Sequence, residues 1–165
     1  MKKHPTTNIQ QPTSNEAVAE GWVFSDGDQN RKYDLEERLL EFASAVIDLS
    51  EKLPDTRAGN HVAGQILRSG TSPYPNHGEA EDAESREDFI HKLKLCLKEL
   101  RETRRWARLI QRKGWAKDET TLPFILSEAD ELIRIFFSSI QTAKRNLLKE
   151  RHPPKSSHRP IYETD

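Results

Sequence analysis

The chain has a single cysteine, Cys96, in 165 residues. One thiol excludes an intrachain disulfide framework and fits a reducing compartment. Long apolar runs are also missing. Nothing approaches the ~18 consecutive apolar residues of a membrane-spanning helix, so no membrane association is expected. The N-terminus, MKKHPTTNIQQPTSNE, begins with two lysines but has no apolar core behind them, and it does not read as a secretory signal. These three absences predict a cytoplasmic protein. An excess of either charge is lacking too: 26 Lys and Arg face 27 Asp and Glu, for a net charge of -1. The molecule as a whole exerts no pull on nucleic acid, and any such pull must come from a local patch. No segment keeps the period of two that marks a strand. Apolar residues make up only 34% and charged residues 32%, so the core must come from narrow helical stripes and from subunit contacts.

What is present is helical. The spacing predicts a first helix from near Asp34, where Asp34 and Glu37 form a capping-box pattern. Leu35, Leu39, Phe42, Val46, Leu49 and Leu53 then recur at steps of four and three, with Leu40, Ala43 and Ile47 widening the seam. Pro54 ends it. A second helix starts at Asp55 or Thr56 and buries Val62, Ala63, Ile66 and Leu67. Gly70, Pro73 and Pro75 then predict either a stop or a kink, with the helix resuming through His77-Gly78-Glu79-Ala80. The third helix opens on Ser85-Arg-Glu-Asp88 with acids in its first turn. Its seam is Phe89, Leu93, Cys96, Leu100, Thr103, Ala107 and Ile110, and it closes at Lys113-Gly114. The fourth runs from about Leu122 to Lys149, with Pro123 in its first turn. Its seam is Ile125, Ala129, Leu132, Phe136, Ile140, Ala143 and Leu147. Four amphipathic helices on short loops predict an all-α, antiparallel up-down-up-down four-helix bundle over residues 33–150. The polar stretch 1–32 reads as a disordered arm in which Trp22-Val23-Phe24 offers a docking cluster, and the Pro-rich 151–165 as a disordered tail.

Several stretches carry a resemblance. YDLEERLLEFA (33–43), KLPDTRAGNHVAGQILRSGTS (52–72), NHGEA (76–80), AESREDFIHKL (83–93) and KELRETRRW (98–106) resemble a bacterial four-helix-bundle family. That family includes proteins encoded in intervening sequences of large-subunit ribosomal RNA genes. The likeness implies an antiparallel bundle assembled as a closed ring, commonly a homopentamer, with no established enzymatic activity. It is also similar to the accessory protein of diversity-generating retroelements, a pentameric bundle that binds nucleic acid and a reverse transcriptase. In the family, the second helix continues through the segment that holds Asn76 and Glu79, which favours a kink over a stop. Pro73, Pro75 and the long N-terminal arm depart from the family pattern.

Candidate sites follow from charge. Between Phe89 and Lys113 stand nine Lys and Arg (92, 94, 98, 101, 104, 105, 108, 112, 113) against Glu99 and Glu102. Arg101, Arg104, Arg105, Arg108 and Arg112 recur at helical steps, so several share a face. Such a face suits RNA or DNA phosphates, and a ring of subunits would multiply it. The alternative is a solvated face whose arginines pair with acids on the first and fourth helices or on another subunit. The acids Glu79, Glu81, Asp82, Glu84, Glu87 and Asp88 fit a protein–protein scaffold in which acidic and basic faces pair between subunits. They also fit a plain solvated corner, or a divalent cation.

No catalytic residues, metal site or cofactor are expected. A di-metal carboxylate site needs two Glu-x-x-His pairs, and the chain offers only Asp88-Phe-Ile-His91. Gly59-Asn-His-Val-Ala-Gly64 lacks the Lys-Ser/Thr and the preceding strand of a phosphate loop. Cys96 lies in a seam with no base nearby and reads as a buried, inert thiol. Asn76, His77 and Glu79 read as a structural polar cluster.

Overall fold

The computed structural model describes residues 29–117 and 120–151. Among the described residues five helices follow in order: α1 Gln29–Glu51, α2 Arg57–Thr71, α3 Pro73–Glu81, α4 Arg86–Lys113 and α5 Thr121–Arg151. The chain divides into two units between Leu35 and Glu36. The described part of the first is the opening of α1, and the bundle is built in the second. Trp22-Val23-Phe24 and nearly all of the expected arm and tail lie outside the described residues.

α2 and α3 are the two halves of one bent helix, so the architecture is an all-α four-helix bundle. Side-chain pairs set its directions. Arg86 near the start of α4 meets Glu150 near the end of α5 at 2.7 Å, and Arg104 meets Asp130 further along. These two helices therefore run antiparallel. On the other side of α4, Ser69 meets Thr103 and Glu79 meets Lys92, again in opposite sense. Arg38 of α1 reaches Glu128 of α5 at 2.7 Å.

The seams at steps of four and three are the core. Leu39, Phe42, Val46 and Leu49 pack from α1, and Val62 and Ile66 from α2. Leu93, Cys96, Leu100, Ala107 and Ile110 pack from α4, and Ile125, Ala129, Leu132, Phe136 and Ile140 from α5. Each fully buried Leu, Ile or Phe contributes about 1.5–3 kcal/mol of apolar transfer. The shoulder residues differ from expectation. Leu40, Ile47 and Leu67 stay exposed, because they sit at the edge of stripes whose centres already fill the interior.

The ends obey local chemistry. α1 starts at Gln29, five residues before the expected cap, so Asp34 lies inside the helix. Gln29 to Tyr33 contains no Gly or Pro to stop it. Of the two candidate caps for α2, Thr56 serves, its hydroxyl accepting from the Gly59 amide at 3.0 Å. The Ser85 hydroxyl accepts from the Asp88 amide at 3.1 Å to open α4. At its other end Gly114 adopts φ 61°, the left-handed region. The Gly114 amide donates to the Gln111 carbonyl and the Trp115 amide to the Ile110 carbonyl, a Schellman closure.

The bend at Ser72 is a kink, not a stop. Pro73 supplies no N–H, so the Ser69 carbonyl loses its helical donor. Ser72 nonetheless keeps helical backbone angles (φ -60°, ψ -36°), a conformation that a following proline disfavours. Asn76 compensates: its side-chain amide donates to the Ser72 carbonyl at 2.8 Å and to the Ser72 hydroxyl at 2.9 Å. Gly70 lets α2 approach α1 here, since a Cβ would lie 2.5 Å from Cγ1 of Val46.

Candidate nucleic-acid interface

α4 packs against α2 and α3 on one side and α5 on the other. Its sequence therefore has to bury two flanks and leave one strip outward. With about 100° between successive residues, Arg101, Arg105, Arg108 and Arg112 fall on that strip at steps of four, three and four. All four are exposed, and none has an ion-pair partner among the described residues. Three of them, Arg105, Arg108 and Arg112, line an open depression of about 600 Å³ with Leu109 and Gln111.

Arg104 stands apart from the other four candidates. It lies one flank round, half-buried, with Nη1 2.5 Å from Asp130 Oδ1 of α5. Its Nε is buried and has no hydrogen-bond partner. Arg104 thus serves the α4–α5 contact, and the grouping of five arginines reduces to four.

Two lysines complete the strip. Lys94 and Lys98 extend the same alternation upstream, so six cations run Lys94, Lys98, Arg101, Arg105, Arg108, Arg112. The signal was available in the spacing, since steps of four, three, four, three and four continue without a break. Of the six, Lys98 alone has a near acid, Glu99 at 3.5 Å. Glu99 itself turns inward and is only 7% exposed.

Closed ion pairs border the strip on both sides. Toward α2, Arg68 binds Glu102 and lies 3.5 Å from Glu99. Toward α5 stands Arg104–Asp130. The remaining cation of the helix middle, Lys92, binds Glu79 of α3, and that carboxylate raises the lysine's pKa. The charge left uncompensated on this helix is therefore the outward strip, on which, among the described residues, only Lys98 has an acid within reach, at 3.5 Å and shared with Arg68.

The acids of the α3–α4 corner divide in the same way. Glu87 binds Arg151 at the end of α5, and its carboxyl is held low by a backbone hydrogen bond first and by Arg151 second. Asp82 and Glu84 face outward in the turn. Among the described residues no three His, Cys, Asp or Glu side chains converge on a point that could hold a metal ion.

Asn76, His77 and Glu79 point in three directions. Asn76 turns back onto Ser72. His77 is buried with its ring edge-on to Phe136, centroids 6.0 Å apart. Glu79 is exposed and holds Lys92. Cys96 is wholly buried, its Sγ–H aimed at the Pro73 carbonyl at 3.6 Å, and burial pushes the thiol up to about 12. Sequence reasoning did not single out the hydroxyl pair Ser69–Thr103, which meets in the core at 3.0 Å while Thr103 also donates to the Glu99 carbonyl.

A model of the 23S rRNA-intervening sequence protein family matches residues 31–138, from the start of α1 to the middle of α5. The matched region contains the whole cationic strip. Among solved structures, the chain is similar to a protein of unknown function from the S23 ribosomal protein family of Bacteroides thetaiotaomicron. The two are 36% identical, the match covers 64% of this chain and 96% of the other, and the TM-score is 0.58. No curated protein matches the chain.

Proposed function

The chain belongs to the 23S rRNA-intervening sequence protein family, and from that footing we propose that it is a non-enzymatic, oligomeric assembly or adaptor protein of the bacterial cytoplasm that binds RNA or DNA through the outer face of α4. The observation that carries this reading is the strip of six exposed cations bordered by neutralised pairs. A side chain already paired with a carboxylate contributes little to phosphate binding. An unpaired arginine offers a two-pronged fork to phosphate oxygens. Each phosphate so held releases counterions, which makes the binding steeply salt-dependent.

Two further observations support the non-enzymatic and oligomeric parts. Two groups suited to chemistry are committed to packing: Cys96 is held as a neutral thiol, and the His77 ring is buried edge-on against Phe136. Large apolar side chains remain exposed on α1 (Leu40, Ile47) and α5 (Phe137 at 48%, Leu148 at 60%). Covering them in a homo-oligomer would bury apolar area that the single subunit leaves in water. The family likeness suggests a pentamer.

The test is the quadruple variant R101E/R105E/R108E/R112E, compared with wild type by size-exclusion chromatography with light scattering and absorbance at two wavelengths. The wild type should carry nucleic acid that leaves at high salt. The variant should elute clean, at the same mass and helicity. Nucleic acid retained by the variant removes the assignment. A second reading has its own observation, the outward acids Asp82 and Glu84 at the α3–α4 corner. If the strip pairs with that corner on a neighbouring subunit, the protein is a protein–protein scaffold, and the variant falls apart into smaller species.

A further inference from the structure

We infer that the ligand of the α4 strip is the backbone of a double-stranded nucleic acid, gripped without regard to base identity; this rests on the nucleic-acid reading above and specifies its substrate class. The first argument is what the face is made of. From Lys94 to Arg112 the outward positions are six cations, and the side chains beside them in the depression are Leu109 and Gln111. Single-strand binders add aromatic platforms to their cations, because each stacked base contributes to affinity whatever its identity. The strip offers none. Trp106, the nearest aromatic on α4, is turned aside, with its Nε1–H donating to Glu102 and its ring edge-on to His61. Trp115 lies past the helix end under the Lys113 ammonium. Exposed bases would find no partner here, while backbone phosphates would find six.

The second argument is length and stiffness. Eighteen residues at ~1.5 Å each put the outer cations about 27 Å apart on one uninterrupted helix. The side chains that read base edges in a groove are arginines mixed with Asn, Gln and small residues. A face of cations with one amide at its margin is suited to lying along phosphates and ill suited to reading bases. A duplex presents its phosphates already ordered, whereas a single strand must be straightened against the strip at a cost in entropy. The third argument is counterion density. A contact to duplex releases about 0.9 counterion per phosphate and a contact to single strand about 0.7, so the same six cations gain more from the duplex.

The experiment is fluorescence anisotropy of the full chain with five labelled probes of equal length, about two helical turns: an RNA duplex, a DNA duplex, a sequence-permuted version of each, and one single strand. Salt is varied over a fourfold range. Either duplex should bind at least about tenfold more tightly than the single strand, and permutation should change affinity less than about threefold. The slope of log K against log salt should be about -5 or steeper, as six contacts at ~0.9 each require. The variant K94Q/K98Q should flatten that slope by about 2 while binding persists. Tighter binding to the single strand, strong dependence on sequence, or an unchanged slope in K94Q/K98Q would overturn the inference and leave the nucleic-acid reading standing. Absence of binding to all five probes would overturn that reading itself.

Discussion

Arg104 Nη1 on α4 lies 2.5 Å from Asp130 Oδ1 on α5, and this pair takes one arginine out of the face to which its spacing assigns it. Both partners are partly exposed, at 38% and 46% of their side chains, so solvent screens the pair and its contribution to stability stays below about 1 kcal/mol. Arg104→Gln should therefore lower the urea midpoint slightly. It should leave the salt slope of nucleic-acid binding as in wild type, because Arg104 is not on the strip. R105Q, one residue on, should do the reverse: unchanged stability and a slope flatter by about 1. Equal effects of the two variants on binding would show that the flank takes part after all.

Much of the bundle is legible in the sequence because its helices solve one problem with one device. Leu39, Phe42, Val46 and Leu49 alternate steps of four and three, and so do Leu93, Cys96, Leu100, Thr103, Ala107 and Ile110. A seam of that period has to face inward. The kink could be read to within a few residues, since Pro73 and Pro75 remove two helical donors in one turn. The mechanism that keeps the helix going could not. It depends on Asn76 reaching back four residues to Ser72, a contact that exists only once the backbone is already helical. The candidate site divides along the same line. Periodicity places Arg101, Arg105, Arg108 and Arg112 together, but whether an arginine is neutralised depends on helices distant in sequence, such as Asp130 for Arg104.

The kink gives a second prediction. Asn76→Ala removes both side-chain bonds to Ser72 and leaves its carbonyl with the single long bond from the residue 76 amide at 3.3 Å. The cost should be about 1 kcal/mol by urea unfolding. N76D should cost more, because a carboxylate has no N–H to donate and would face the Ser72 carbonyl oxygen. Equal stability of wild type and N76D would show that the bonds to Ser72 do not hold the bend.

Two glycines give opposite expectations. At Gly70 an added Cβ would meet both methyl groups of Val46, at 2.5 and 2.7 Å, so G70A forces α1 and α2 apart and should cost about 1–3 kcal/mol. At Gly64 nothing lies within 4 Å, so G64A in the same helix should gain about 0.4–1 kcal/mol by restricting the unfolded chain. Thermal unfolding of the two variants should bracket the wild type. A G64A protein less stable than wild type, or smaller in mass, would mean that a subunit contact covers that face of α2.

The last prediction concerns alkali and Cys96. Burial, the dominant influence, raises its thiol from about 9 to about 12 in the folded protein. Below pH 9 the thiol is protonated in both folded and unfolded chains, and the advantage of the buried neutral form is fully present. Between about 9 and 12 the unfolded chain loses the proton and the folded chain keeps it, so stability falls as pH rises, by up to ~1.4 kcal/mol per pH unit. The Lys92–Glu79 pair weakens in the same direction, because the pKa of Lys92 is also raised in the fold. Cys96→Ala separates the two. It should flatten the alkaline limb of the stability curve while leaving the lysine's share. Native wild type should also resist alkylation at pH 8 and react only as it unfolds, since the reactive thiolate is scarce and the sulfur lies wholly inside the bundle. Rapid alkylation of the native protein, or an alkaline limb identical in C96A, would show that the thiol is not held neutral by burial.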